Sequence, residues 1–266
     1  MTNYILQTGR EGEVRLEVLN DLFGAASREF LVAVGLGEGA RVLDVGCGTG
    51  TLTTWIARAV GTSGHVIGTD ADARQIDLAR QRAEAAGLTN IDFFEGRVGI
   101  DALPAGVFDI VHCRFVLMHL KDVDSAVVAM CRSVRKGGIL ACEEATAASV
   151  FTSPPCEPIM RMNDLYRVIS QTRGIDSDLG DRLFGLLARH GTGVMSSRFV
   201  QPMVSITIAK RFLELAANEV RPALLASRLL SEQDAAQLLD SLRAIPEDVA
   251  AYYAPGRAAQ VAVTIG

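Results

Sequence analysis

Residues Val42-Leu43-Asp44-Val45-Gly46-Cys47-Gly48-Thr49-Gly50 constrain this chain most: an apolar run that reads as a β-strand enters a G-x-G-x-G turn, and residues 51–60 continue as a helix. Glycines at that spacing permit φ/ψ values closed to other residues and let a ligand approach the backbone at a helix N-terminus. The result is a nucleotide pocket, and Asp44 restricts its kind. A dinucleotide would bring a diphosphate to this turn, where an ionised carboxylate two residues before the first glycine repels it. A ligand carrying positive charge is attracted instead. At an effective dielectric of about 20, opposite unit charges roughly 4 Å apart attract by about 4 kcal/mol, so one side chain's sign decides the ligand class.

The 266 residues accommodate one large α/β domain with a cap, and 49% hydrophobic with 21% charged residues is the usage of a folded chain. A net charge of −5 without a dense Lys/Arg cluster offers little counterion-release driving force, so a nucleic-acid partner is not expected. Residues 1–12 lack the basic start and apolar core of a signal peptide, and no stretch approaches the roughly 20 apolar residues of a spanning helix. A cytoplasmic protein without membrane insertion is the expectation. Cys47, Cys113, Cys131, Cys142 and Cys156 show no C-x-x-C spacing, so free thiols are expected rather than a disulfide framework or a metal site.

From residue 41 to about 145, β-like runs at 41–45, 65–69, 91–95, 108–113 and 138–143 alternate with helical ones, the pattern of parallel strands joined by crossover helices. Asp72 and Gln75 have the spacing of a capping box at one helix start. Beyond residue 150 the pattern changes: Ser153-Pro154-Pro155 breaks the chain, and helices are predicted at 157–171, 178–190, 208–229 and 231–243. β-like segments at 196–207 and 258–265 can add the last strands to the sheet. The chain thus divides into an N-terminal helical segment or lid (1–37), a nucleotide-binding core (38–150) and a region (151–266) holding a helical cap and two final strands.

With these residues laid out, the chain resembles the class I S-adenosylmethionine-dependent methyltransferases, within them the bacterial small-molecule group that includes quinone and natural-product enzymes. The resemblance covers residues 38–145 and rests on VLDVGCGTG at 42–50, VIGTDAD at 66–72, FDIVHCRFVLMHL at 108–120 and the Lys136-Gly137-Gly138 turn, four motifs in order. It implies a Rossmann-like, doubly wound α/β fold with a seven-stranded, mostly parallel sheet whose last strand is antiparallel, plus the helical cap. The methyl donor it implies is S-adenosyl-L-methionine, leaving S-adenosyl-L-homocysteine.

Asp70 ends the second strand, where a carboxylate can accept both ribose hydroxyls, a geometry shared with NAD-binding proteins. By the resemblance, Asp44 meets the donor's aminoacyl end while Gly46, Cys47 and Gly48 offer the loop backbone. Ala71 and Gln75 can lie along adenine and ribose. Where the family has an acidic step after the third strand, this chain has Gly96-Arg97-Val98, so an Arg97 or Val98 backbone N–H, or the Arg97 side chain stacked on the ring, takes that contact. Cys113-Arg114-Phe115 leaves the fourth strand at the ligand edge of the sheet, with Phe115 as a wall between donor and acceptor. Tyr4 and Gln7 are lid candidates. His119 and Glu144 are the candidate bases, whereas His112 reads as a core residue.

The expected reaction is methyl transfer to a small-molecule acceptor, with O-methylation favoured and N- or C-methylation open. The segment 206–229 is apolar enough to serve as a lid or as a homodimer face. Two other readings compete: a nicotinamide-dependent oxidoreductase, disfavoured by Asp44 and the G-x-G-x-G spacing, and a protein that binds S-adenosylmethionine without turnover.

Overall fold

The computed structural model describes residues 10–247 and 251–266. Apolar runs form five parallel strands, β1 (Arg41–Val45), β2 (His65–Asp70), β3 (Ile91–Glu95), β4 (Phe108–Arg114) and β5 (Val134–Thr146). With β7 (Gly193–Val200) and β10 (Arg257–Thr264) they make a seven-stranded sheet in the order β3-β2-β1-β4-β5-β10-β7, β10 running antiparallel to both neighbours. The reversal at β1/β4 is the switch point at which open α/β sheets bind ligands. The expected seven-stranded sheet with one reversed strand is therefore present.

Alternation sorts the side chains onto two faces. Val42, Ile110, Ala141 and Ala262 turn toward α1 (Arg10–Ala33) and α2 (Thr51–Ala59), where Phe30, Leu31, Ile56 and Val60 close one core. Leu43, Val111, Leu140 and Val261 turn the other way, toward α4 (Val123–Ser133) and α6 (Gly180–Ala188). Each fully buried Leu, Ile or Phe contributes about 1.5–3 kcal/mol, so these layers hold the sheet's ligand edge in place. Asp72 caps α3 (Ala73–Ala85) by accepting the Arg74 N–H at 2.9 Å. The expected reciprocal bond from Gln75 is absent, because the Asp72 N–H is taken by Asp70 Oδ1 at 3.0 Å.

The cap is α5 (Glu157–Thr172), α7 (Ile206–Ala226) and α8 (Glu232–Arg243), packed around Ile159, Met162, Leu213, Val220 and Leu238. The predicted helix at 178–190 exists as α6 but packs on the sheet: Leu183 and Leu187 are buried in the β5 and β10 layer, and Phe184 is exposed. The predicted strand at 196–207 also ends early. β8 (Val204–Ser205) pairs instead with β9 (Tyr252–Ala254), which pairs with β6 (Phe151–Ser153), and this small sheet ties the cap to the core. Strands of two or three residues have no readable period. Among the described residues, no helix is long and apolar enough to cross a membrane.

Candidate active site

A cavity of about 940 Å³ opens at the C-terminal ends of β1, β2 and β4, between the sheet and the cap. Its polar half is built by the glycine loop and the starts of α2 and α3. Gly46 has φ +71°, and a Cβ there would lie 2.1 Å from Val116 Cγ2, so the loop can pass only as glycine. The Gly48 N–H donates to Asp70 Oδ2 at 3.0 Å, so the carboxylate that closes β2 also shapes the loop. Burial pushes the Asp70 pKa above its ordinary value, against the Asp72 and Gly48 N–H bonds that favour the ionised form. Gln75, released from capping, lines the wall, and its buried Oε1 has no hydrogen-bond partner among the described residues.

Asp44, Gly46, Cys47, Gly48, Asp70, Ala71, Gln75, Gly96, Arg97, Val98, Arg114, Phe115 and His119 all line this cavity. Arg97, however, sends both its backbone N–H and its guanidinium to Asp101, at 2.9 and 3.0 Å, so neither is directed at a ligand at that step. Phe115 holds φ +57° and meets Phe23 of α1 edge-on, the centroids 5.3 Å apart. Tyr4 and Gln7 lie outside the described residues.

Cys113 and Glu144 are not cavity residues. Cys113 is fully buried beside its register partner Cys142, on the α4 face, because alternation turns it away from Arg114. Glu144 shares that face and accepts the backbone N–H groups of Val116, Leu117 and Met118 at 2.9, 2.7 and 3.4 Å. It is a brace for the loop after β4, and its burial raises its pKa to about 8 despite those three donors. His119 does reach the cavity, but burial, helped by the Arg15 charge, lowers its pKa to about 3. A neutral imidazole that resists protonation is a hydrogen-bonding group and a weak base.

The sequence reading takes residues 1–37 as a helical lid but does not name the residues of α1 that line the cavity. Arg15, Leu16, Leu19, Asn20 and Phe23 wall one side, and Arg15 Nε meets Glu219 Oε2 of α7 at 2.7 Å. The side toward the cap is mostly apolar, with Val150, Met162, Tyr166, Phe212, Leu213 and Tyr253. His112, read as a core residue, is buried but ionic: Nδ1 lies 2.9 Å from Asp44 Oδ1 and Nε2 3.0 Å from Glu143 Oε1. Burial disfavours its imidazolium, yet the two carboxylates outweigh that and lift its pKa to about 9. The available signal was polar residues interrupting apolar strands at matching parity.

The family described as Methyltransferase domain matches residues 36–177. The chain belongs to that family, the class I S-adenosylmethionine-dependent methyltransferases. Among its relatives, the ubiquinone/menaquinone biosynthesis C-methyltransferase UbiE of Vibrio vulnificus is 30% identical over 158 residues, covering 57% of this chain and 58% of that protein. The chain thus spans under two thirds of that relative's length. Solved structures share the fold: the [4+2]-cyclase SpnF has a TM-score of 0.59 at 19% identity, with 98% of each chain covered. YcgJ of Bacillus subtilis has a TM-score of 0.58 at 19% identity, covering 88% of this chain and 95% of that one. Membership in the methyltransferases removes the nicotinamide oxidoreductase reading.

The residues fit the family's methyl donor, S-adenosylmethionine. Asp44 offers negative charge for an ammonium, Asp70 keeps lone pairs for hydroxyls, and the buried Gln75 Oε1 awaits a donor, as a nucleoside provides.

Proposed function

We propose that this chain transfers a methyl group from S-adenosylmethionine to a small, largely apolar acceptor, with carbon as the favoured accepting atom. The observation that carries the choice of atom is that neither expected base, Glu144 nor His119, is placed or poised to take a proton. Glu144 is committed to the backbone of residues 116–118, and His119 is a weak base. An alcohol needs its proton removed within the site, whereas a stabilised carbanion that has already lost its proton to water attacks the methyl carbon directly as the C–S bond breaks and S-adenosylhomocysteine leaves. The earlier preference for O-methylation accordingly gives way, and the UbiE relative's name as a C-methyltransferase supports the same direction.

When bound, S-adenosylmethionine supplies an electrophilic methyl carbon on a sulfonium. Asp44 would hold the aminoacyl end, Asp70 and Gln75 the ribose and adenine side, and Val98 the ring edge. Phe115, fixed by Phe23 and by the Glu144 brace, separates this half from the acceptor half. The chain's contribution is then orientation and water exclusion, which proximity effects make large.

Calorimetry with S-adenosylhomocysteine tests the first half: binding in the micromolar range, lost in Asp70→Ala, with weaker or no binding of NAD. Equal affinity for NAD overturns the reading. Labelled-methyl transfer to a panel of aromatic and 1,3-dicarbonyl acceptors tests the second half. Product carrying the label as an ether would overturn the preference for carbon.

A further inference from the structure

We infer that His112 is a positioning residue for the methyl donor: by bridging Asp44 and Glu143 it fixes the aim and the charge of the carboxylate that meets the donor's aminoacyl end. This rests on the methyl-donor reading above. Both ring nitrogens face carboxylate oxygens, at 2.9 and 3.0 Å. A neutral imidazole has one N–H and one lone pair, so one of those contacts would set lone pair against lone pair; only the imidazolium donates to both.

The surrounding bonds give the bridge a direction. Glu143 is anchored at its far oxygen by Ser27 Oγ of α1 at 2.9 Å and by Gln260 Nε2 of β10 at 2.7 Å, and it does not line the cavity. Asp44 does line it, and its second oxygen accepts from Thr53 Oγ1 of α2 at 2.6 Å. Each Asp44 oxygen thus spends one lone-pair site on the protein and keeps another for a ligand. The charged groups around the ring are Asp44 of β1, Glu143 of β5 and, farther along β4, Arg114, whose guanidinium donates to Ser27 Oγ at 3.0 Å. Two carboxylates face two cations in this cluster. Without the His112 charge, one buried carboxylate loses its balance, and among the described residues Asp44 keeps only Thr53 to hold its direction.

The test is the dissociation constant of two probes, S-adenosylhomocysteine and 5′-methylthioadenosine, which keeps the nucleoside and thioether but lacks the aminoacyl end. His112→Gln should weaken S-adenosylhomocysteine at least tenfold and 5′-methylthioadenosine less than twofold. Equal losses, or no loss, overturn the inference. If the variant does not fold, nitrogen-15 spectra of histidine-labelled unaltered protein decide. At pH 7.5 both His112 nitrogens should be protonated, and their signals should move on adding S-adenosylhomocysteine but not 5′-methylthioadenosine. A neutral ring, or the same response to both probes, overturns the inference. Unaltered protein that binds 5′-methylthioadenosine and not S-adenosylhomocysteine overturns it too, while protein that binds neither sinks the methyl-donor reading itself.

Discussion

Arg15 and Glu219 form a buried ion pair, Nε to Oε2 at 2.7 Å, that joins α1 to α7 across one wall of the cavity, with both side chains at 5% exposure or less. A pair this deep is a poor source of net stability, but breaking it takes a close partner from a buried charge. Arg15→Met should lower stability by about 3 kcal/mol in urea unfolding, and Arg15→Met with Glu219→Leu should recover most of it. The single variant should also raise the His119 pKa, because the Arg15 charge helps to lower it.

Glu144 accepts three consecutive backbone N–H groups, so Glu144→Ala should orphan buried donors and cost about 3 kcal/mol. Amide exchange at residues 116–118 should quicken more than elsewhere. Were Glu144 the catalytic base, methyl transfer would collapse while these amides stayed protected.

His112 and His119 give opposite pH slopes. The His112 pKa is raised from 6.5 to about 9, so its contribution is fully present below pH 6.5 and fades as pH rises through 9, on the order of 3 kcal/mol in all. The His119 pKa is lowered to about 3, so its contribution is present above pH 6.5 and fades as pH falls toward 3. Thermal unfolding across pH 4–10 should therefore show the alkaline loss flattened in His112→Gln and the acid loss flattened in His119→Asn.

Gly46→Ala places a Cβ 2.1 Å from Val116 Cγ2 at a backbone φ of +71°. The affinity for S-adenosylhomocysteine should fall at least tenfold. Adding Val116→Ala should relieve the clash but keep the left-handed backbone cost, about 1–2 kcal/mol, giving partial recovery in calorimetry.

The strands of the core and the glycine loop were legible because period, turn residues and motif spacing are local properties of the chain. Asp44, Asp70 and Gln75 were legible as cavity residues for the same reason, since each sits at a fixed distance from that loop. Glu143 and Glu144 show where legibility stops. Alternation says that they face opposite ways, but only the packing of α1 on one face and the loop after β4 on the other says what each meets. The helix at 178–190 read as part of the cap because a helix's apolar stripe does not name its partner, and here that partner is the sheet.

The sequence by itself determined the strand, loop and helix that receive a methyl donor, since glycine conformation and one carboxylate's charge need no long-range contact. Tertiary structure alone decided what that carboxylate is tied to. Asp44, His112 and Glu143 stand on three different strands, and register brings them together on one face of the sheet. Their hydrogen bonds form across that register, so a residue that reads as core in β4 becomes, in the folded sheet, the bridge between two buried carboxylates.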